Sequence, residues 1–111
     1  KTENDVSELK WNYSGYISNI PIKAQINHKE AYHLEGSGAI KLPFEGYYFY
    51  ESKKIKIQIE GVENGVGLMN MTAFTKGGEE YFTGESVNHG ESYSGTWSKN
   101  DKELTFELFE K

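Results

Sequence analysis

Two residue types are missing from this chain altogether. Cysteine is absent, which excludes disulfides, thiolate metal sites and cysteine nucleophiles together. Arginine is absent as well, so all 12 basic residues are lysine. The planar guanidinium is the usual bidentate grip on phosphate, carboxylate and guanine edges. With 17 acids the formal net charge is −5, whereas nucleic-acid binders present a basic surface, so nucleic acid is not an expected partner. No apolar run approaches the roughly 20 residues of a membrane-crossing helix, and no membrane span is expected. No window keeps a helical period for more than about two turns. A signal peptide is not visible. Because the chain starts at Lys1 without methionine, the expectation is a mature or trimmed form from which an export signal has been removed, with a periplasmic or cell-surface destination.

What the chain has in quantity is glycine and aromatic side chains: 12 Gly, eight Tyr, six Phe and two Trp. They recur together as Tyr13-x-Gly15, Phe44-x-Gly46, Phe82-x-Gly84 and Tyr93-x-Gly95. In a strand, residues two apart share a face. Each aromatic therefore lies beside a position with no side chain. Glycine inside a strand marks a bulge, a sharp bend or the close approach of another backbone, and a neighbouring ring shields the gap in strongly curved sheets. The four sites predict a sheet that curls.

The length of 111 residues fits one domain with one core. Residues 1–10 are polar and acidic, an expected flexible leader, and 11–111 form the expected single β domain. From Trp11 the period-2 alternation of half-buried strands begins. It continues through Ile22, Ala24 and Ile26, then through a long register from Tyr32 to Tyr50 that must break near Gly36 to Gly38 or at Pro43. Ile55, Ile57 and Ile59 alternate most regularly. Residues 68–74 blur the period, and strands follow over 81–87, 92–98 and 104–108, separated by Asn, Gly, Asp and Lys turns. The reading is an all-β, antiparallel up-and-down meander of eight or nine strands. Bends at the aromatic-glycine sites favour closure as a small barrel; the alternative is a β-sandwich.

At Gly95-Thr96-Trp97 the sequence resembles the calycin-like barrels, meaning lipocalins, fatty-acid-binding proteins and avidins, whose strands carry a Gly-x-Trp element. In those families the element lies on the first strand, and here it lies on the penultimate one. The wider pattern, closing with Leu104-x-Phe106-x-Leu108, is similar to small exported bacterial β-barrel proteins of unassigned function. The resemblance implies the fold and carries over no lipid-binding or biotin-binding residue. Ser37-Gly38 also resembles the Ser-Gly loop that bacterial lysozyme inhibitors present to their enzyme, but two such common residues read first as a plain turn.

No catalytic constellation can be assembled. His28 and His33 are five residues apart, on opposite faces if both are in one strand, and His28 and His89 fall in expected turns. Zinc requires three or four converging ligands, so no metal site is expected. The Glu79-Glu80 pair lacks the cleft that two-carboxylate glycoside chemistry needs. There is neither a nucleophile elbow nor a phosphate-cradling loop. Asn12-Tyr13-Ser14 and Asn70-Met71-Thr72 match the glycosylation sequon but fall in expected strands. A non-enzymatic protein without cofactor is the expectation.

The aromatic excess remains, and rings with a polar tip suit interfaces and ligand walls. Trp11, Tyr47, Phe49 and Trp97 are the candidate ligand-binding residues. They point first to a binding module holding a small apolar or glycan ligand in the barrel mouth. An inhibitor or immunity factor acting on a basic partner enzyme through an acidic, tyrosine-rich face is the second reading, and a structural domain of a larger assembly the third.

Overall fold

Alternation of large apolar with polar residues builds strands here because it gives each one a face to bury and a face to solvate. The computed structural model describes residues 10–36, 38–53 and 55–111. All of the expected leader except exposed Lys10, together with Ser37 of the Ser-Gly loop, lies outside the described residues. Nine strands follow: β1 (Tyr13–Ile17), β2 (Ile20–His28), β3 (Tyr32–His33), β4 (Ile40–Tyr50), β5 (Ile57–Asn64), β6 (Leu68–Thr75), β7 (Gly78–Val87), β8 (Ser92–Lys99) and β9 (Lys102–Glu110). Among the described residues no helix is long and apolar enough to cross a membrane.

Apart from β2 and β3, sequential strands pair antiparallel, and β1 pairs with β9 and β2 with β4 in the same sense. Eight strands therefore close into a barrel, the closed alternative of the sequence reading and not the sandwich. The two-residue β3 stands outside the ring and pairs only with the start of β4, Tyr32 with Lys41 and His33 with Ile40. The long Tyr32–Tyr50 register breaks between β3 and β4, and β4 runs straight through Pro43. Proline is tolerated because β2 ends opposite Phe44. Beyond that point the Pro43 carbonyl accepts from the Lys29 N–H at 2.9 Å, past the end of the paired β2 register, where a missing N–H is tolerated.

The interior is filled. Tyr13, Ile17, Ile22, Ala24, Ile26, Phe44, Tyr48, Ile59, Met69, Met71, Ala73, Phe82, Tyr93, Trp97, Phe106 and Leu108 form one cluster drawn from all eight barrel strands. An eight-stranded barrel is just wide enough for such filling. In β6 the apparent blur resolves: Met69, Met71 and Ala73 point inward while Leu68 and Phe74 are exposed. The four aromatics that precede a glycine, Tyr13, Phe44, Phe82 and Tyr93, are all buried in the cluster.

The paired glycines are where neighbouring backbones close in. A methyl group on Gly15 would overlap the Glu107 carbonyl, one on Gly46 the Gln25 carbonyl, and Gly84 and Gly95 lie directly opposite each other with no room for either to gain one. Closure thus depends on missing side chains at the bends. Gly46→Val should cost at least about 1–3 kcal/mol, the usual penalty of overpacking, read as a lowered urea midpoint. A midpoint equal to wild type would show that the backbone approach is not needed.

Candidate functional site

In an up-and-down barrel alternate turns share an end. One end carries the turns at 18–19, 51–56, 76–77 and 100–101, and the other carries 29–39, 65–67 and 88–91. Each end has a buried carboxylate, Glu80 at the first and Glu63 at the second.

At the second end Glu63 lies 1% exposed. Its Oε1 accepts from the Tyr93 hydroxyl at 3.2 Å, and its Oε2 accepts from the Ser86 hydroxyl at 2.7 Å. His89 Nδ1 is 3.1 Å from Oε2, and His28 Nε2 is 2.9 Å from the Tyr93 hydroxyl. The Tyr13 hydroxyl donates to the Gly90 carbonyl. Rings of Tyr13, Tyr93 and Phe44 pack in series, tilted by 40° and 37°, with centroids 5.7 Å apart at each step. Burial, reinforced by the Glu110 charge, pushes the Tyr13 phenol up to about 12. Burial raises Tyr93 further, with Tyr13 and Glu63 adding to it. This end is a plug of mutually satisfied polar groups.

At the first end Glu80 Oε1 accepts from the Tyr48 hydroxyl and, at 3.2 Å, from Trp97 Nε1. Its Oε2 is 3.7 Å from Lys99 Nζ, which also donates to Thr75 Oγ1 at 3.3 Å. Burial, then the bond to Glu80, raises the Tyr48 phenol; burial raises Tyr50 as well. Above this floor opens a recess of about 480 Å³. Lys53, Lys76 and Lys99 with Ile55, Ile57 and Phe74 line it, and Lys56, Tyr50, Thr75 and Gly77 complete the wall beside Glu80. A shallower groove, lined by Trp97 and the 99–102 turn, meets it at Lys99. Among the described residues every buried side-chain nitrogen and oxygen has a partner, so the open polar groups are on the rim.

The four residues singled out from the sequence do not converge. Trp97 is inside the barrel, tied to Glu80. Trp11, Tyr47 and Phe49 belong to the outer face around β2 and β4. Lys23 lies with its ammonium 4.0 Å from the Trp11 ring centroid and pairs in register with Phe49. Lys111 is 3.9 Å from the same ring, and Lys56 is 4.6 Å from the Tyr47 ring. These are cation–π contacts. Phe49 is covered, at 4% exposure. All three histidines are exposed residues at the second end, His28 as the last residue of β2 and not in a turn. Among the described residues no three His, Asp or Glu side chains converge as a metal site.

Sequence reasoning missed the recess and both buried glutamates. A signal existed for each. Glu80 shares the inward parity of Phe82 and Gly84, and Glu63 that of Ile59 and Gly61. Lys53, Lys56 and Lys76 fall in turns that a meander must gather at one end, and Lys99 ends β8 there.

The raised phenols predict alkaline instability with a definite sign. Tyr13 ionises near 10.0 when unfolded and near 12 when folded, so the folded state holds its proton more tightly. Its stabilisation is present below pH 10 and lost as pH rises towards 12. Phenolate absorbance should show the exposed tyrosines titrating first and the buried ones only as circular dichroism reports unfolding. Titration of all eight tyrosines in one step, with the fold intact, would contradict the buried arrangement.

No protein-family model matches this chain, and no curated protein and no solved structure matches it either.

Proposed function

We propose that this protein is a non-enzymatic binding module that takes a small ligand at the lysine-bearing mouth of a filled barrel. The observation that carries this reading is the recess bounded by Ile55, Ile57, Phe74 and the turn lysines above Glu80. Its volume of about 480 Å³ lies within the roughly 300–1,000 Å³ of ordinary small-molecule sites. The filled interior leaves the mouth as the place for a guest. An apolar ligand body suits it better than a stacked sugar. Sugar stacking needs an open ring face, while Trp97 and Phe49 are buried and lysines lie over Trp11 and Tyr47. The closed eight-stranded meander is compatible with kinship to the calycin-like barrels, which forms part of the same proposal.

Native mass spectrometry of the protein recovered gently from its own host's extract tests the reading. A small non-covalent adduct is expected, lost on denaturation. Phe74→Asp, at an exposed position, should reduce its occupancy about tenfold by setting a charge against an apolar body. A bare wild-type protein, or an adduct indifferent to Phe74, would sink it.

A second reading, an inhibitor or immunity factor docking on a basic enzyme, is favoured by the outer face of β1 and β9. There Tyr16 faces Glu107 across the ladder, with Phe109 and Glu103 exposed nearby. It predicts a protein complex whose association slows steeply as salt is added. Equal association rates in low and high salt would remove it.

A further inference from the structure

The charge around the recess runs against that of the chain. Four lysines line it against one glutamate, in a protein with 17 acids and 12 bases. That glutamate is already engaged, with one oxygen held by Tyr48 and Trp97 and the other facing Lys99. Elsewhere lysines find carboxylates: Lys23 lies 3.4 Å from Glu51, and Lys29 is bonded to Glu45. Lys53 and Lys76 have no carboxylate partner among the described residues, although both belong to turns that bound the recess. Lys56 is turned onto the Tyr47 ring. Two lysines without a carboxylate partner among the described residues therefore line a cavity whose wall also carries the apolar Ile55, Ile57 and Phe74, with Ile55 50% and Phe74 40% exposed.

Resting on the mouth-binding reading, we infer that the ligand is a small amphipathic carboxylate. Its head sits between Lys53 and Lys76, and its apolar or aromatic body lies against Ile55, Ile57 and Phe74. Lysine offers a compact, strongly hydrated point charge without the planar fork that grips an oxyanion through two parallel bonds. A singly charged head with an apolar tail matches that pairing. The Glu80–Lys99 pair leaves the floor close to neutral, so attraction is concentrated at the rim.

The test uses three probes with one aromatic body and different heads: naphthylacetate, naphthylacetamide and naphthylmethylamine, titrated by heteronuclear NMR into the whole chain. Naphthylacetate should shift the backbone amides of 51–57 and 74–77 saturably and bind about tenfold more tightly than the amide, the combined effect of two partly screened ion pairs. The amine should bind more weakly still. In K53Q/K76Q, both at exposed positions, the acid should fall to the affinity of the amide, while K102Q, on the same barrel end but outside the recess, leaves the acid unchanged. Acid and amide binding equally at these residues would overturn the inference and leave the mouth-binding reading standing. If none of the three probes shifts recess residues, both fall together.

Discussion

Eight strands drawn into a ring enclose a space only as wide as the side chains they turn inward, and most features of this protein follow from that limit. Large rings such as Tyr13, Phe44, Phe82, Tyr93 and Trp97 fill the space. The ring can draw in around them because glycine stands two residues along from several of them. Where Gly84 faces Gly95 the two backbones meet with nothing between. Side-chain bulk and its local absence are thus two parts of one solution: rings occupy the axis and glycines let the wall bend.

A filled barrel still has two open ends, and this chain treats them differently. Glu63 closes one end within a set of hydroxyl and imidazole partners. Glu80 does similar work at the other, but its ionic partner is Lys99, which borders a cavity. A buried carboxylate requires hydrogen bonds and a counter-charge to be tolerated. Meeting that requirement from the rim brings a lysine to the mouth, and the turns at 51–56 and 76–77 bring others. The asymmetry between ends is the physical basis for placing a ligand at one of them.

Much of this was legible in the chain before folding. Alternation in Ile57 and Ile59 and the Tyr13, Phe44, Phe82 and Tyr93 glycine pairs indicated short strands and a curled sheet, because period and bulk are local properties; Ile55, read into the same alternation, precedes β5 and is 50% exposed. The continuity of β4 through Pro43 was not legible, since it depends on where β2 stops. The candidate site was less legible. Trp11, Tyr47 and Phe49 were chosen for their rings, but their faces are decided by Lys23, Lys56 and Lys111, and Lys23 and Lys111 lie far from Trp11 in sequence. The recess lysines were visible only to a reading that sorted turns by barrel end, a consequence of topology and not of any motif.

The seam between β1 and β9 differs in kind from the rest. Most other barrel pairings join strands adjacent in sequence, and β2–β4 skips only the loop that holds β3, whereas Tyr13 meets Glu110 and the Lys111 N–H reaches the Asn12 carbonyl at 2.8 Å. Local hairpins can form early, but this junction has to wait until the chain has run from β1 to β9. Until β9 is in place the growing sheet has two raw edges able to pair with another chain. The residues of the final strand therefore act as a clasp: they set when the molecule stops being sticky as well as how stable it becomes.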